Sequence, residues 1–196
     1  MKDFDYYFDF GSLASYLAHT QLPQLCAATQ ATVHFYPMLL GAVFKATGNA
    51  SPMSVPAKGK YALVDFKRCA RQYGVPLRFN PYFPIITTPL MRMVTGLQMR
   101  SDTRFQEFMD VIFKAIWIDA LDMNQPEVIA DVLTKAHFDP MSLMDLANEQ
   151  ATKDQLKEVT NRAVERGVFG APTFFVGEEM FWGQDRIEQV KIALTT

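Results

Sequence analysis

Phe4, Tyr6, Phe8 and Phe10 alternate with Asp5, Tyr7 and Asp9, and the run stops at Gly11-Ser12. A period of two built from aromatics is the pattern of a β-strand. The spacing then changes to that of a helix over 13–29, interrupted or kinked at Pro23, which removes a backbone donor. Ser12 stands at the position of a helix N-cap. Residues 32–36 read as a second short strand, with Val33 and Phe35 on one face. A strand–helix–strand opening favours parallel pairing and an α/β fold.

The middle of the chain is expected to be helical. Residues 39–47 form a short helix that stops at Gly48-Asn49, and 51–56 carry two prolines and read as a loop. Residues 58–73 place Leu63, Phe66, Ala70 and Tyr73 on one side of a helix that ends at Gly74. Further helices are expected across 89–97, 102–121 and 126–137, and another from Asp139-Pro140, where proline suits the first helical position. Thr152-Lys153-Asp154-Gln155 has the form of a capping box before a helix that ends near Gly167. The end returns to β: a strand over 173–176, a turn at Gly177-Glu178-Glu179, a strand over 180–182, then a short helix from Gln184 to Leu194. No repeat, low-complexity segment or long linker interrupts the 196 residues. The expected organisation is one unit: an α/β part over about 1–38 and 165–196, with an all-helical insertion over about 39–164.

Apolar residues are 49% of the chain and charged residues 20%, which excludes a disordered chain. The net charge is −2 without a basic run, so nucleic acid is not an expected partner. No stretch reaches the ~18 apolar residues of a membrane span. The start, Met1-Lys2-Asp3-Phe4-Asp5, has no apolar signal core, and a cytoplasmic chain is expected. Cys26 and Cys69 form no C-x-x-C and read as buried, reduced thiols. His19, His34 and His137 lack metal-ligand spacing, so no metal site is expected.

A βαβ start and a ββα finish, with Gly170-Ala171-Pro172-Thr173 leading into the late strand, is the thioredoxin arrangement. In such folds the proline is cis and presents the backbone of the preceding residue to a peptide-like ligand. The chain then resembles the 2-hydroxychromene-2-carboxylate isomerases, relatives of the kappa-class glutathione transferases and of DsbA-type oxidoreductases. The matching stretches are Asp9-Phe10-Gly11-Ser12 with Ser15-Tyr16-Leu17, Leu39-Leu40-Gly41 through Phe44-Lys45-Ala46-Thr47-Gly48-Asn49, Lys58 through Tyr61 to Asp65, Phe169 through Thr173, and Trp182-Gly183-Gln184-Asp185-Arg186. The family usually has proline and an aromatic after its catalytic serine. Here Leu13-Ala14 stand there, which bears on substrate shape near the helix start. The resemblance implies a thioredoxin-like fold of DsbA/kappa type with the helical insertion.

It also implies a use for Ser12. A hydroxyl at a helix start cannot form a disulfide, but its O–H can donate to an external thiolate. The nucleophile would come from bound glutathione. By resemblance, Lys58 and Asn49 serve its glycyl side and peptide, the Ala171 backbone beside Pro172 its cysteinyl amide, and Gln184 with Asp185 its γ-glutamyl end. Asp65 is carried over too, acting either within its own subunit or across the interface of the homodimer that the family implies. Phe44, Lys45 and Trp182 would line the site of a small aromatic carboxylate or enone. Taken without the resemblance, Ser12 is a helix cap, the charged residues are solvated surface groups, and Phe44 and Trp182 are packing residues. The expected function is a glutathione-dependent isomerase of aromatic degradation, such as naphthalene catabolism. Alternatives are a kappa-like glutathione transferase or peroxidase, and a non-catalytic thioredoxin-like binding protein. A dithiol oxidoreductase is disfavoured because neither cysteine lies at the first helix start.

Overall fold

The computed structural model describes residues 2–196. Strand β1 (Asp3–Phe8) leads into α1 (Leu13–His19) and α2 (Leu22–Thr29), then β2 (Thr32–Pro37). The expected single helix over 13–29 is therefore two. The break falls at Thr20-Gln21, and Pro23 lies in the first turn of α2 rather than at a kink, where its missing donor costs nothing.

Seven helices separate β2 from β3: α3 (Leu40–Thr47), α4 (Pro56–Tyr73), α5 (Thr88–Met99), α6 (Phe105–Trp117), α7 (Pro126–Lys135), α8 (Pro140–Asn148) and α9 (Gln150–Glu165). Strands β3 (Thr173–Val176) and β4 (Glu179–Trp182), a 3-10 turn over Gln184–Arg186 and α10 (Ile187–Thr195) complete the chain. Gly48 and Gly74 end α3 and α4 in the left-handed conformation, with φ of 70° and 67°. Asp139 caps α8 by accepting from the Met141 N–H. Thr152 is not a cap: α9 starts two residues earlier, after Glu149, and Thr152 is buried within its first turn.

The sheet order is β2-β1-β3-β4, with β1 parallel to β2 and antiparallel to β3. A central β1 explains its composition. Phe4, Tyr6, Phe8 and Phe10 enter the main core with α1, α5 and α6. Tyr7 faces the opposite side and packs with Met38, Val43, Ala163, Val168 and Phe175. The strand is thus covered on both faces, whereas simple alternation leaves one face polar. The main core is continuous from the strands to Leu143 and Leu146 of α8. Cys26 and Cys69 are free and only half-buried. No helix is long and apolar enough to cross a membrane among the described residues, and no group of metal-binding side chains occurs there.

Candidate active site at the Ser12 junction

Between β1 and α1 the chain makes a tight turn closed by the Ser12 N–H on the Asp9 carbonyl at 3.0 Å. Ser12 is only 7% exposed. Its backbone is extended, and its Oγ accepts from the Ser15 N–H at 3.1 Å, as an N-cap does. The hydroxyl proton goes elsewhere, donated to the Ala171 carbonyl at 2.9 Å. The Ala171-Pro172 bond is cis, as the sequence implied, and so is Phe83-Pro84, which the sequence did not flag. One hydroxyl therefore ties the helix start to the loop before β3, across 159 residues of chain. Ser15 lies one turn further on. Its backbone carbonyl accepts from the Tyr6 hydroxyl, and its own buried Oγ has no partner among the described residues.

The loop before β3 is held from three sides. Asn49, just beyond α3, donates from Nδ2 to the Phe169 carbonyl at 2.8 Å. Its Oδ1 accepts from the Ala50 N–H, so the Asn49 side chain is engaged within the chain. Trp182 packs against Phe169 with ring centroids 4.9 Å apart and planes tilted by 56°, and it covers Gly170, where a Cβ would meet the indole nitrogen at 2.5 Å. The Gly183 N–H donates to the Pro172 carbonyl. Trp182 thus lies against the loop with its ring half-exposed.

Gln184 is buried. Its side-chain amide donates to the Cys69 thiol at 3.7 Å, and its backbone carbonyl accepts from the Tyr73 hydroxyl at 2.8 Å. Burial, with Cys69 and Asp185 nearby, pushes the Tyr73 phenol up to about 12. Gln184 therefore ties the end of α4 to the 3-10 turn before the last helix. Asp185 is exposed and pairs with Arg186 at 3.0 Å. It also lines a groove of about 240 Å³ with Gln21, Tyr73, Glu188 and Lys191.

The remaining anticipated residues are looser. Lys45 is exposed and Phe44 half-buried, both on α3, and Phe44 joins neither core cluster. Lys58 is exposed in the first turn of α4. Asp65 pairs with Arg68 at 3.5 Å. The recorded hydrogen bonds and ion pairs do not connect Lys58 or Asp65 to Ser12.

Two features beside Ser12 went unnoticed in the sequence. Asp9 is 3% exposed, and its carboxylate accepts from the Gly11 N–H (2.9 Å), the Leu40 N–H (2.9 Å) and the Thr87 hydroxyl (2.7 Å). Burial raises its pKa, and the three donors, Thr87 first, oppose that rise. The second feature is the segment from Asn80 to Thr87. It abuts Gly11, whose Cβ would lie 3.3 Å from Thr87 and 3.7 Å from the Ile85 carbonyl. Buried Asn80 donates to the Ile116 and Leu121 carbonyls, and Asn124 accepts from the Ile86 N–H. A loop so pinned still leaves Tyr82 51% and Ile86 69% exposed, an apolar surface beside the turn.

A serine-capped helix facing a cis-proline loop, on this sheet, defines a thioredoxin-like protein of the DsbA kind. The family described as the DSBA-like thioredoxin domain matches residues 4–195. The chain is 33% identical over 193 residues to a 2-hydroxychromene-2-carboxylate isomerase of Pseudomonas sp. (strain C18), covering 97% of this chain and 89% of that one. A solved structure of a 2-hydroxychromene-2-carboxylate isomerase superposes with a TM-score of 0.84 at 31% identity, covering 98% of this chain and 94% of that one. Glutathione S-transferase kappa 1 of Caenorhabditis elegans is 26% identical over 198 residues, covering 95% and 88%. The chain belongs to the 2-hydroxychromene-2-carboxylate isomerase family, within the DSBA-like thioredoxin domain.

Proposed function

We propose that the chain is a glutathione-dependent isomerase that interconverts 2-hydroxychromene-2-carboxylate and trans-o-hydroxybenzylidenepyruvate, or a close aromatic analogue. The observation that carries this reading is the Ser12 hydroxyl. It sits at the helix start against the Ala171 carbonyl, where a dithiol enzyme places its own cysteine, and both cysteines of this chain lie elsewhere.

The residues present suit a thiol tripeptide. Ala171 offers a carbonyl beside a donor hydroxyl, Lys58 an exposed cation, and Asp185 an exposed carboxylate for an ammonium. When bound, glutathione supplies a thiolate that adds to the conjugated double bond and leaves again, so that rotation about the intervening single bond interconverts the isomers. The Ser12 O–H, now on Ala171, is the donor available to a sulfur anion, and the carbonyl it releases is then free to accept an amide N–H. The first-turn N–H groups of α1 reinforce that donor.

Asn49 holds Phe169, and thereby Ala171, in place, and its second amide N–H remains for the glutathione peptide. Gln184 and Asp185 take the γ-glutamyl end, and Lys58 the glycyl carboxylate. Lys45, Phe44 and Trp182 line the electrophile site, to which the exposed Ile86 and Tyr82 add an apolar wall. The working unit in this reading is a cytoplasmic homodimer in which Asp65 serves the neighbouring subunit. The kappa-class likeness favours, as second reading, a transferase acting on other electrophiles from the same site.

The test is a calorimetric titration with glutathione followed by assay of both substrates. Saturable binding with isomerisation is expected. Binding with conjugation of a chloro-nitroaromatic and no isomerisation selects the transferase. Absence of glutathione binding overturns both.

A further inference from the structure

Asp9 stands where three helices begin. Gly11 immediately precedes the Ser12 cap of α1, Leu40 is the first residue of α3, and Thr87 is the cap residue of α5. Neither Leu39 nor Thr87 caps its own helix with its side chain. Leucine has no acceptor, and the Thr87 hydroxyl is turned to Asp9. The Asp9 carboxylate therefore caps α3 from outside and takes the hydroxyl of α5. All three of its partners are donors, two of them backbone N–H groups that can only donate. An acceptor-only side chain meets them all, whereas an amide would set an N–H₂ against one of them. Its three recorded partners are uncharged, from the β1–α1 turn, α3 and α5.

We propose that Asp9 is the positioning residue of the active site. Its one carboxylate clasps the Ser12 turn to α3, which carries Phe44, Lys45 and, beyond it, Asn49, and to the Tyr82–Ile86 loop. This rests on the reading of Ser12 as a thiolate site. Asp9 fixes the electrophile's walls relative to Ser12, and it does so with a negative charge placed beside a second one. Its removal has two consequences of opposite sign. The walls lose their register, which lowers turnover. The sulfur anion loses a like-charged neighbour, which lowers the pKa of the bound thiol. General damage to the turn would instead raise that pKa towards the free thiol.

The experiment uses the full chain and glutathione, with thiolate absorbance near 240 nm, binding by calorimetry, isomerisation kinetics and melting. Wild-type protein comes first: failure to bind glutathione there overturns the proposed function and is separate from the Asp9 outcome. For Asp9→Asn, glutathione affinity within about twofold of wild type, kcat reduced about 10- to 100-fold, and a lower bound-thiol pKa are expected. Thr87→Val keeps the shape and removes one donor. It should lower kcat about 3- to 10-fold with unchanged glutathione affinity, and it serves as the readout if Asp9→Asn does not fold. Wild-type kcat in Asp9→Asn, or in Thr87→Val if that variant alone folds, overturns the proposal. So does a raised bound-thiol pKa with weakened glutathione binding.

Discussion

The Ser12 junction and helix α4 meet their polar groups in opposite ways. At the junction Ser12 donates to Ala171 and accepts from Ser15, Asp9 accepts three donors, and Asn49 holds Phe169. All of these bonds form within the chain before any ligand arrives. Along α4, Lys58 and Lys60 point to solvent, Tyr61 is 63% exposed and Val64 is 49% exposed, and Asp65 has a single surface pair. Buried polar groups must be satisfied internally or they destabilise the fold, while exposed ones are satisfied by water. The reactive end of the site is therefore preorganised. On the proposed function, the exposed Lys58 gains its partner only when glutathione binds. Preorganised donors affect turnover, whereas exposed charges affect affinity.

The sharpest way to break that contrast is Ser12→Ala. On the proposed function it should lower turnover about 10²- to 10³-fold, the scale of losing one preorganised donor. Loss of the N-cap should cost only about 1 kcal/mol of stability, read from melting. Equal turnover in variant and wild type would remove Ser12 from the mechanism.

Asn80→Ala probes the same preorganisation at the loop. It leaves the Ile116 and Leu121 carbonyls without their donor in a buried site. About 2–3 kcal/mol of stability should be lost in denaturant titration. A loss below about 0.5 kcal/mol would mean the loop is held by Asn124, Thr87 and its apolar contacts without Asn80.

Lys58→Ala tests the other region. Glutathione should bind about tenfold more weakly, about 1.4 kcal/mol by calorimetry, with melting unchanged because exposed Lys58 makes no hydrogen bond or ion pair among the described residues. A destabilised variant would show that α4, like the junction, uses its polar side chains within the fold.

The smallest effect concerns pH. Burial holds the Asp9 carboxyl above its ordinary value of 3.8, against the pull of Thr87, Gly11 and Leu40. A folded-state pKa above the unfolded one means that the native state binds the proton more tightly. The contribution of Asp9 to stability is then greatest below the unfolded value and shrinks as pH rises through the folded one. The melting difference between wild type and Asp9→Asn should move against wild type as pH rises from about 4 towards neutrality. A difference that moves in favour of wild type would show the three donors outweighing burial.

Much of the junction was legible in the sequence because its signals are local. Aromatic alternation marks β1, a serine precedes a helical period, and Ala171-Pro172 precedes a β-prone run. Asp9 was not. In a period-two reading it shares the polar register with Asp5, and only the arrival of α3 and α5 from distant sequence buries it. Thr152 misled for the related reason that a capping-box pattern is short, and α9 could start at Gln150 once Glu149 ended α8. Asn80 and Asn124 look like ordinary loop residues until their partners, some 40 residues away, are in place. Side chains that gain their role from long-range partners leave no local pattern. The α4 residues could be named only by resemblance, since an exposed lysine in a helix has the same appearance whether or not a ligand meets it.

The central claim is that Ser12 stabilises a borrowed thiolate. Its most direct test is the pH titration of the 240 nm absorbance of glutathione bound to wild-type protein and to Ser12→Ala. The account predicts a bound-thiol pKa well below that of free glutathione in wild type, and its return towards the free value in the variant. The same pKa in both proteins would contradict it.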